Sequence, residues 1–311
     1  MSFKKSVTTI AFCSIFSAGL ATANERITIG TGGTGGLFYV IGAGIAETLN
    51  NHMEGATARA EVTGASVENN RRVAAGQMTM GLSSSSTLYE ALNGDGPFGG
   101  RPQAVSAIAY LYPAVLQIAT IEDTEVENIG DLAGKRVSLG PPGSNAAVLA
   151  QRVLEAYGVF DAIQPQFLSY NEGVGALMNN QLDATVVLAG APTAALIDLD
   201  AQRDMRLLPV SEEQLGDMLE AYPFYQLFEI PPGTYSDQTE GVMVINDPAI
   251  LFTSADAPEE TIYAITETLF SHLDELGEVH PQAKAISLEN APDTPIELHP
   301  GAARYFAEAS E

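Results

Sequence analysis

The stretch Ile27-Thr28-Ile29-Gly30-Thr31-Gly32-Gly33-Thr34-Gly35-Gly36-Leu37-Phe38-Tyr39 decides the fold. Ile27, Thr28 and Ile29 carry β-branched side chains that suit a pleated strand. The glycine-rich run from Thr31 to Gly36 cannot continue it. Beyond that run Leu37, Val40, Ile41, Gly44, Ile45 and Leu49 recur at helical spacing. The unit is a strand, a glycine loop and a helix. Working outward, the same order returns. Ala60 to Val62 meets a turn at Thr63 to Ser66 and a helix from Val67 to Ala75; Met78 to Leu82 empties into Ser83-Ser84-Ser85-Ser86 before a helix from Thr87 to Asn93. A second region repeats it. There Lys135 to Leu139 runs into Gly140 to Asn145 and a helix over 146–157; Gln166 to Leu168 leads to Ser169-Tyr170-Asn171; and Ala184 to Leu188 feeds Ala189 to Thr193.

Such alternation predicts an α/β protein. Each loop sits where an open sheet offers main-chain N–H groups to a ligand, at the carboxyl end of a strand and the start of a helix. Two loop sets imply two lobes. An apolar strand at Gly241 to Ile245, another at Ala249 to Thr253 and one helix from Pro258 to Leu276 follow the Pro/Gly break at 231–233. The chain is expected to cross back there. That gives a discontinuous first lobe of residues 24–118 and 241–311, a second lobe of 119–240, and a hinge of two crossings.

The chain has 311 residues, 39 acidic and 14 basic, and a net charge of −25. Hydrophobic residues at 46% supply real cores. No cluster of Lys and Arg is present to neutralise phosphates, which excludes a nucleic-acid partner and an anionic membrane surface. Residues 1–23 read as a secretory signal peptide. Lys4 and Lys5 precede an apolar run from Val7 to Leu20 that is too short to span a bilayer, and Ala21-Thr22-Ala23 offers a cleavage site. Cleavage there predicts a periplasmic protein without cysteine, since Cys13 is the single one, and with a net charge of −27. Such a charge repels itself, so stability is expected to rise with salt.

Chemistry is sparse. His52, His272, His280 and His299 show no metal-ligand spacing, so neither a metal nor a cofactor is expected. Gly81-Leu82-Ser83-Ser84-Ser85 lacks the second glycine of a nucleophile elbow, which leaves an exported hydrolase as the lesser reading. The glycine loop lacks the Lys of a phosphate loop, so it reads as a nest of donors for a smaller anion.

The ordered motifs 29–39, Glu61-Val62-Thr63-Gly64-Ala65-Ser66-Val67-Glu68-Asn69, Leu132 to Val137, Pro142-Gly143-Ser144, Leu188 to Thr193 and Ile230 to Tyr235 resemble the TAXI solute-binding proteins of TRAP transporters. His280-Pro281, Leu288-Glu289-Asn290 and Leu298 to Gly301 extend the resemblance. It implies a type II periplasmic binding protein that closes on a solute and hands it to a TRAP permease. Glutamate, glutamine and 2-oxoglutarate are the solutes best known for that family. It also implies ligand contacts from Thr34 and Tyr39 in the first loop and from Gly143, Ser144, Ala191, Pro192 and Thr193 in the second lobe. Where the family has Gln-Ser-Asp this chain has Ser84-Ser85-Ser86, and the missing acceptor favours an oxo- or plain dicarboxylate. Ser84 and Ser85 line the same edge, with Asn69 as a ligand or a helix cap and Arg71 as the arginine preferred over Arg72 and Arg152 for clamping an anion. A monomer without catalysis is expected; a sensor that signals to a membrane protein is the other alternative.

Overall fold

The computed structural model describes residues 25–34, 36–236 and 238–310. The expected signal peptide lies outside the described residues. In the first region β1 (Glu25–Gly30) leads to α1 (Leu37–His52), β2 (Ala56–Glu61) to α2 (Ser66–Ala74) and β3 (Met80–Ser84) to α3 (Ser85–Asn93). β4 (Val105–Tyr112) and β5 (Val115–Ile121) then follow with two residues between them. In the second region β6 (Arg136–Ser138) leads to α4 (Asn145–Ala156), β7 (Gln164–Gln166) to α5 (Tyr170–Met178) and β8 (Ala184–Ala189) to α6 (Ala194–Asp200). The remainder comprises β9 (Met205–Leu207), α7 (Glu212–Ala221), β10 (Gln226–Ile230), β11 (Val242–Asn246), β12 (Ala249–Ser254), α8 (Glu259–Phe270), α9 (Leu273–Val279), a 3-10 turn at Pro281–Ala285, and α10 (Pro300–Ala309).

These strands form two sheets. One has the order β2-β1-β3-β12-β4; the other runs β10-β11-β5-β8-β6-β7, with β9 also on β5. β1 is parallel to β2 and β3, and β6 to β7 and β8, so the helix-opening loops of each lobe gather along one edge. Helices cover both faces of each sheet. On the first sheet Ile41, Ile45 and Leu49 of α1 pack with Ile27, Ile29 and Leu251, while Val73 and Leu88 close the opposite face with Phe252. On the second, Leu149 and Val153 meet Ile118 and Val186, and Val174 and Leu196 meet Val115 and Val187. Each fully buried side chain of this size contributes about 1.5–3 kcal/mol. Each lobe is thus built around cores of its own.

Strand pairing sets the crossings. β4 lies in the first sheet and β5 in the second, so the outward crossing falls at residues 113–114 and not at 118/119. β11 pairs with β10 and β5, and β12 with β3 and β4, so the return falls at 247–248 and not at 240/241. The displacement has a simple cause: an apolar run announces a strand but not which sheet will pair with it. The helix expected over 258–276 is broken at Ser271 and His272. There α9 turns onto α1, where a Cβ on Gly44 would lie 2.8 Å from Val279 Cγ2, and the His272 ring stacks on His52 at 3.6 Å.

Candidate functional site

The loops after β1, β2 and β3 are locked together by Asn69. Its Nδ2 donates to Thr31 O at 2.7 Å and Leu82 O at 2.8 Å, and its Oδ1 accepts from Thr63 Oγ1 at 2.7 Å. Asn69 is fully buried. Gly30 makes room for it, since a Cβ there would stand 2.6 Å from Asn69 Oδ1. Asn69 is thus a brace for the loops and not a ligand contact.

Over this brace the serines at the starts of α2 and α3, Ser66, Ser84 and Ser85, are themselves buried. Ala65, the residue before α2, has φ 64° and ψ −147°, a costly backbone for a residue with a Cβ. Ser66 Oγ accepts from Ser84 N at 3.0 Å and donates to Ser84 Oγ at 3.4 Å. Ser84 Oγ donates to Thr87 Oγ1 at 2.9 Å, and Ser85 N donates to Pro248 O at the hinge. Helix geometry also leaves the first-turn amides without intrahelical acceptors. Thr34 is exposed in the first loop and Tyr39 half-buried on the first turn of α1.

In the second lobe Ser144 caps α4, its Oγ accepting from Ala147 N at 3.3 Å, and Gly143 beside it is exposed with φ 72°. Thr193 is already committed. Its N–H donates to Tyr235 OH at 3.0 Å, its Oγ1 donates to Gly190 O at 2.9 Å and accepts from Gln117 Nε2 at 3.0 Å. Thr193 therefore shapes the loop and offers a solute little. The Ala191–Pro192 peptide is cis. Pro192 is exposed, and Ala191 O accepts from Gln282 Nε2 of the first lobe. That contact borders a pocket of about 240 Å³ lined by Pro113, Val115, Ala191, Phe228, Thr234 and Gln282.

The two loop sets meet on the other flank. Asp247, fully buried at the return crossing, accepts from Ser86 N at 2.9 Å, from Ser86 Oγ at 2.6 Å and from Asn145 Nδ2. Burial is the chief cause that pushes its carboxyl up to about 6, against the lowering effect of those donors. Sequence reading missed Asp247. Its signal was an acid between two apolar strands, at 242–246 and 249–254. It also supplies a carboxylate to the serine loop, so the absence of an Asp from Ser84-Ser85-Ser86 does not strip that loop of an acceptor.

The arginines fare differently. Arg71 is exposed, donates to Pro97 O at 2.6 Å and lies 5.6 Å from the Phe98 ring centre, so it serves the outer surface and not the crevice. Arg72 pairs with Glu61 and Glu68, and Arg152 with Glu90. An anion here would be met by amides and hydroxyls, without a spare guanidinium from these three. Each histidine is also engaged away from the serines. His52 pairs with Glu275, His272 stacks on it, His280 caps the 3-10 turn and His299 caps α10. Among the described residues no group of three or more His, Cys, Asp or Glu is placed to hold a metal.

Residues 29–309 match the model of the NMT1-like family. The chain belongs to that family. Solved structures give the fold of this NMT1-like protein. The periplasmic aliphatic sulphonate binding protein SsuA from Escherichia coli superposes with a TM-score of 0.54 at 17% identity, over 91% of this chain and 78% of that one. XAC2383 from Xanthomonas citri bound to ATP gives 0.53 at 10%, over 92% and 96%. A chain from the work on glutathione import via GshT and the cystine importer TcyBC of Streptococcus mutans gives 0.51 at 11%, over 84% and 94%. At these identities the likeness establishes the two-lobed periplasmic binding-protein fold.

Proposed function

We propose that the protein is an extracytoplasmic receptor that binds a small anionic solute between its lobes and delivers it, unaltered, to a membrane permease. The observation that carries this reading is the meeting of Ser86 and Asn145 across the lobes, beside the starts of α1, α2 and α4, whose first-turn amides lack intrahelical acceptors. A hydrogen bond to a charged group contributes about 1.5–3 kcal/mol and a helix start about 0.3–1 kcal/mol. Four or five such contacts offset the cost of docking and support micromolar affinity, about −8 kcal/mol. Distant carboxylates weigh little because the Debye length is about 8 Å at physiological salt.

The finer reading follows the motifs. Their resemblance to TAXI proteins supports a TRAP permease as partner, a C4 or C5 dicarboxylate such as 2-oxoglutarate, or else glutamate or glutamine, as solute, and the periplasm as location. The hydrolase reading is weaker. Ser86 has a carboxylate partner in Asp247, yet the pair is buried and no imidazole reaches it.

Thermal shift with 2-oxoglutarate, succinate, glutamate, glutamine and lactate tests this. Ligand at a hundred times its Kd stabilises by about 2.7 kcal/mol, a rise of about 5–10 °C, and is recovered intact. Consumption of a ligand, or a flat response to the whole panel, would overturn the proposal.

A further inference from the structure

We propose that α3 and α4 form a latch that holds the lobes together without solute, with Asp247 as its pivot and the Arg152–Glu90 pair as its outer clasp. The two helices come from different lobes. Asp247 grips the start of each at once, through the Ser86 N–H and hydroxyl on α3 and the Asn145 amide on α4. A carboxylate at a helix start meets the positive end of the helix dipole, and its hydrogen bonds are charge-assisted. Further along both helices Arg152 Nη2 donates to Glu90 Oε1 at 2.5 Å, with the side chains 15% and 10% exposed. Arg152 Nη1 donates to Tyr225 OH at 2.7 Å, and the guanidinium lies 4.1 Å from the Tyr222 ring centre. Tyr89 of α3 meets Phe224 at 5.2 Å, adding an apolar contact across the lobes.

This deepens the receptor reading by assigning the closed state to groups of the chain itself. It also divides the helix starts. Asp247 consumes the Ser86 amide of α3, so the solute's acidic group falls to α1 and α2 and to the Ser144 loop.

A second consequence is a response to acid. The titratable groups facing Asp247 are Glu90 on α3 and Tyr225 before β10, with Arg152 of α4 bonded to both. Opening would return Asp247 to water and its carboxyl to the ordinary range near 3.8, below the value of about 6 that burial sets in the closed form. The closed form thus holds the proton more tightly. The added preference for closure is complete below the ordinary value and is lost as pH rises through about 6. In the protonated state Ser86 Oγ can accept from the carboxyl and donate to Asn145 Oδ1, 3.3 Å away, so the network survives the change.

The test is the lobe separation of the solute-free full chain. Spin labels go on Glu54→Cys and Asp161→Cys, exposed positions in the first and second lobes, with Cys13→Ser as background. Wild type should give one short distance at pH 5.5 and a growing long-distance fraction at pH 7.5. Glu90→Gln strands the buried guanidinium, and the ratio of long to short should rise at least tenfold, as a loss of 1.4 kcal/mol or more requires. Asp247→Asn should abolish the pH dependence. If an Asp247 variant fails to fold, Glu90→Gln, away from the hinge, carries the test. A solute-free wild type already at the long distance, or a Glu90→Gln distribution equal to wild type, would overturn the latch. A chain that latches yet binds no solute would sink the receptor reading and leave the latch standing.

Discussion

Replacing Asn69 by Ala distinguishes a brace from a ligand contact. The amide is fully buried and makes three hydrogen bonds, to the main chain of Thr31 and Leu82 and from the Thr63 hydroxyl. Thr31 O keeps a second donor in Thr63 Oγ1 at 3.0 Å. That bond keeps the one Thr63 hydroxyl proton in use, so the uncompensated losses are one acceptor at Leu82 and the volume of a carboxamide. At about 1–3 kcal/mol for a buried group left unpaired, the loss is about 2 kcal/mol. In a domain of 150–250 residues each kcal/mol moves Tm by about 2–4 °C, so a fall of about 4–8 °C is expected. Asn69→Asp should cost at least as much, because it turns an oxygen toward two carbonyls. Gly30→Ala, which drives a Cβ to 2.6 Å from the same amide, should echo the loss from a buried glycine that has no side chain to offer a solute. Differential scanning fluorimetry of solute-free protein reads all three. A melting temperature unmoved by Asn69→Ala, together with abolished binding, would refute the brace and return Asn69 to the ligand.

Arg71→Ala should leave solute affinity within about twofold and cost at most about 1 kcal/mol, the worth of an exposed cation–π contact; a tenfold loss of affinity by calorimetry would put Arg71 back in the crevice. Asp183, held by Arg136 through its N–H at 2.7 Å and its guanidinium at 2.8 and 3.0 Å, has a carboxyl lowered chiefly by that side-chain hydrogen bond. Its contribution is present above the ordinary carboxylate value and is lost as pH falls through the depressed one. Asp183→Asn should therefore melt lower than wild type at pH 7, by about 1 kcal/mol given the part-exposed partner, with the gap closing below pH 4; a gap independent of pH would contradict this. Raising NaCl from about 0.15 to 1 M shortens the Debye length from about 8 to about 3 Å and should raise Tm, since 39 acidic residues face 14 basic ones; a falling Tm would argue against net self-repulsion.

The strands and helices that end in small polar loops were legible because their signals are local. Glycines after Ile29, serines after Leu82 and the Ser144 cap each mark a boundary within a few residues. What the sequence hid was partnership over long separations. That β11 joins β5, that Asn69 spans three loops, and that Asp247 reaches both Ser86 and Asn145 are facts of packing between segments more than a hundred residues apart or of side-chain direction. Arg71 and Arg72 are adjacent on one helix, yet one faces Phe98 and the other Glu61. Thr193 looked available because its partner Tyr235 lies 42 residues on.

Amide chemical shifts during titration with the solute that most raises Tm test the central claim most directly. The account predicts the largest changes at Thr34, Phe38, Ser66, Val67, Ser144 and Asn145, small ones at Arg71 and Pro97's neighbours, and solute resonances that stay those of the starting compound. Changes confined to one lobe, or new solute resonances appearing with time, would contradict it.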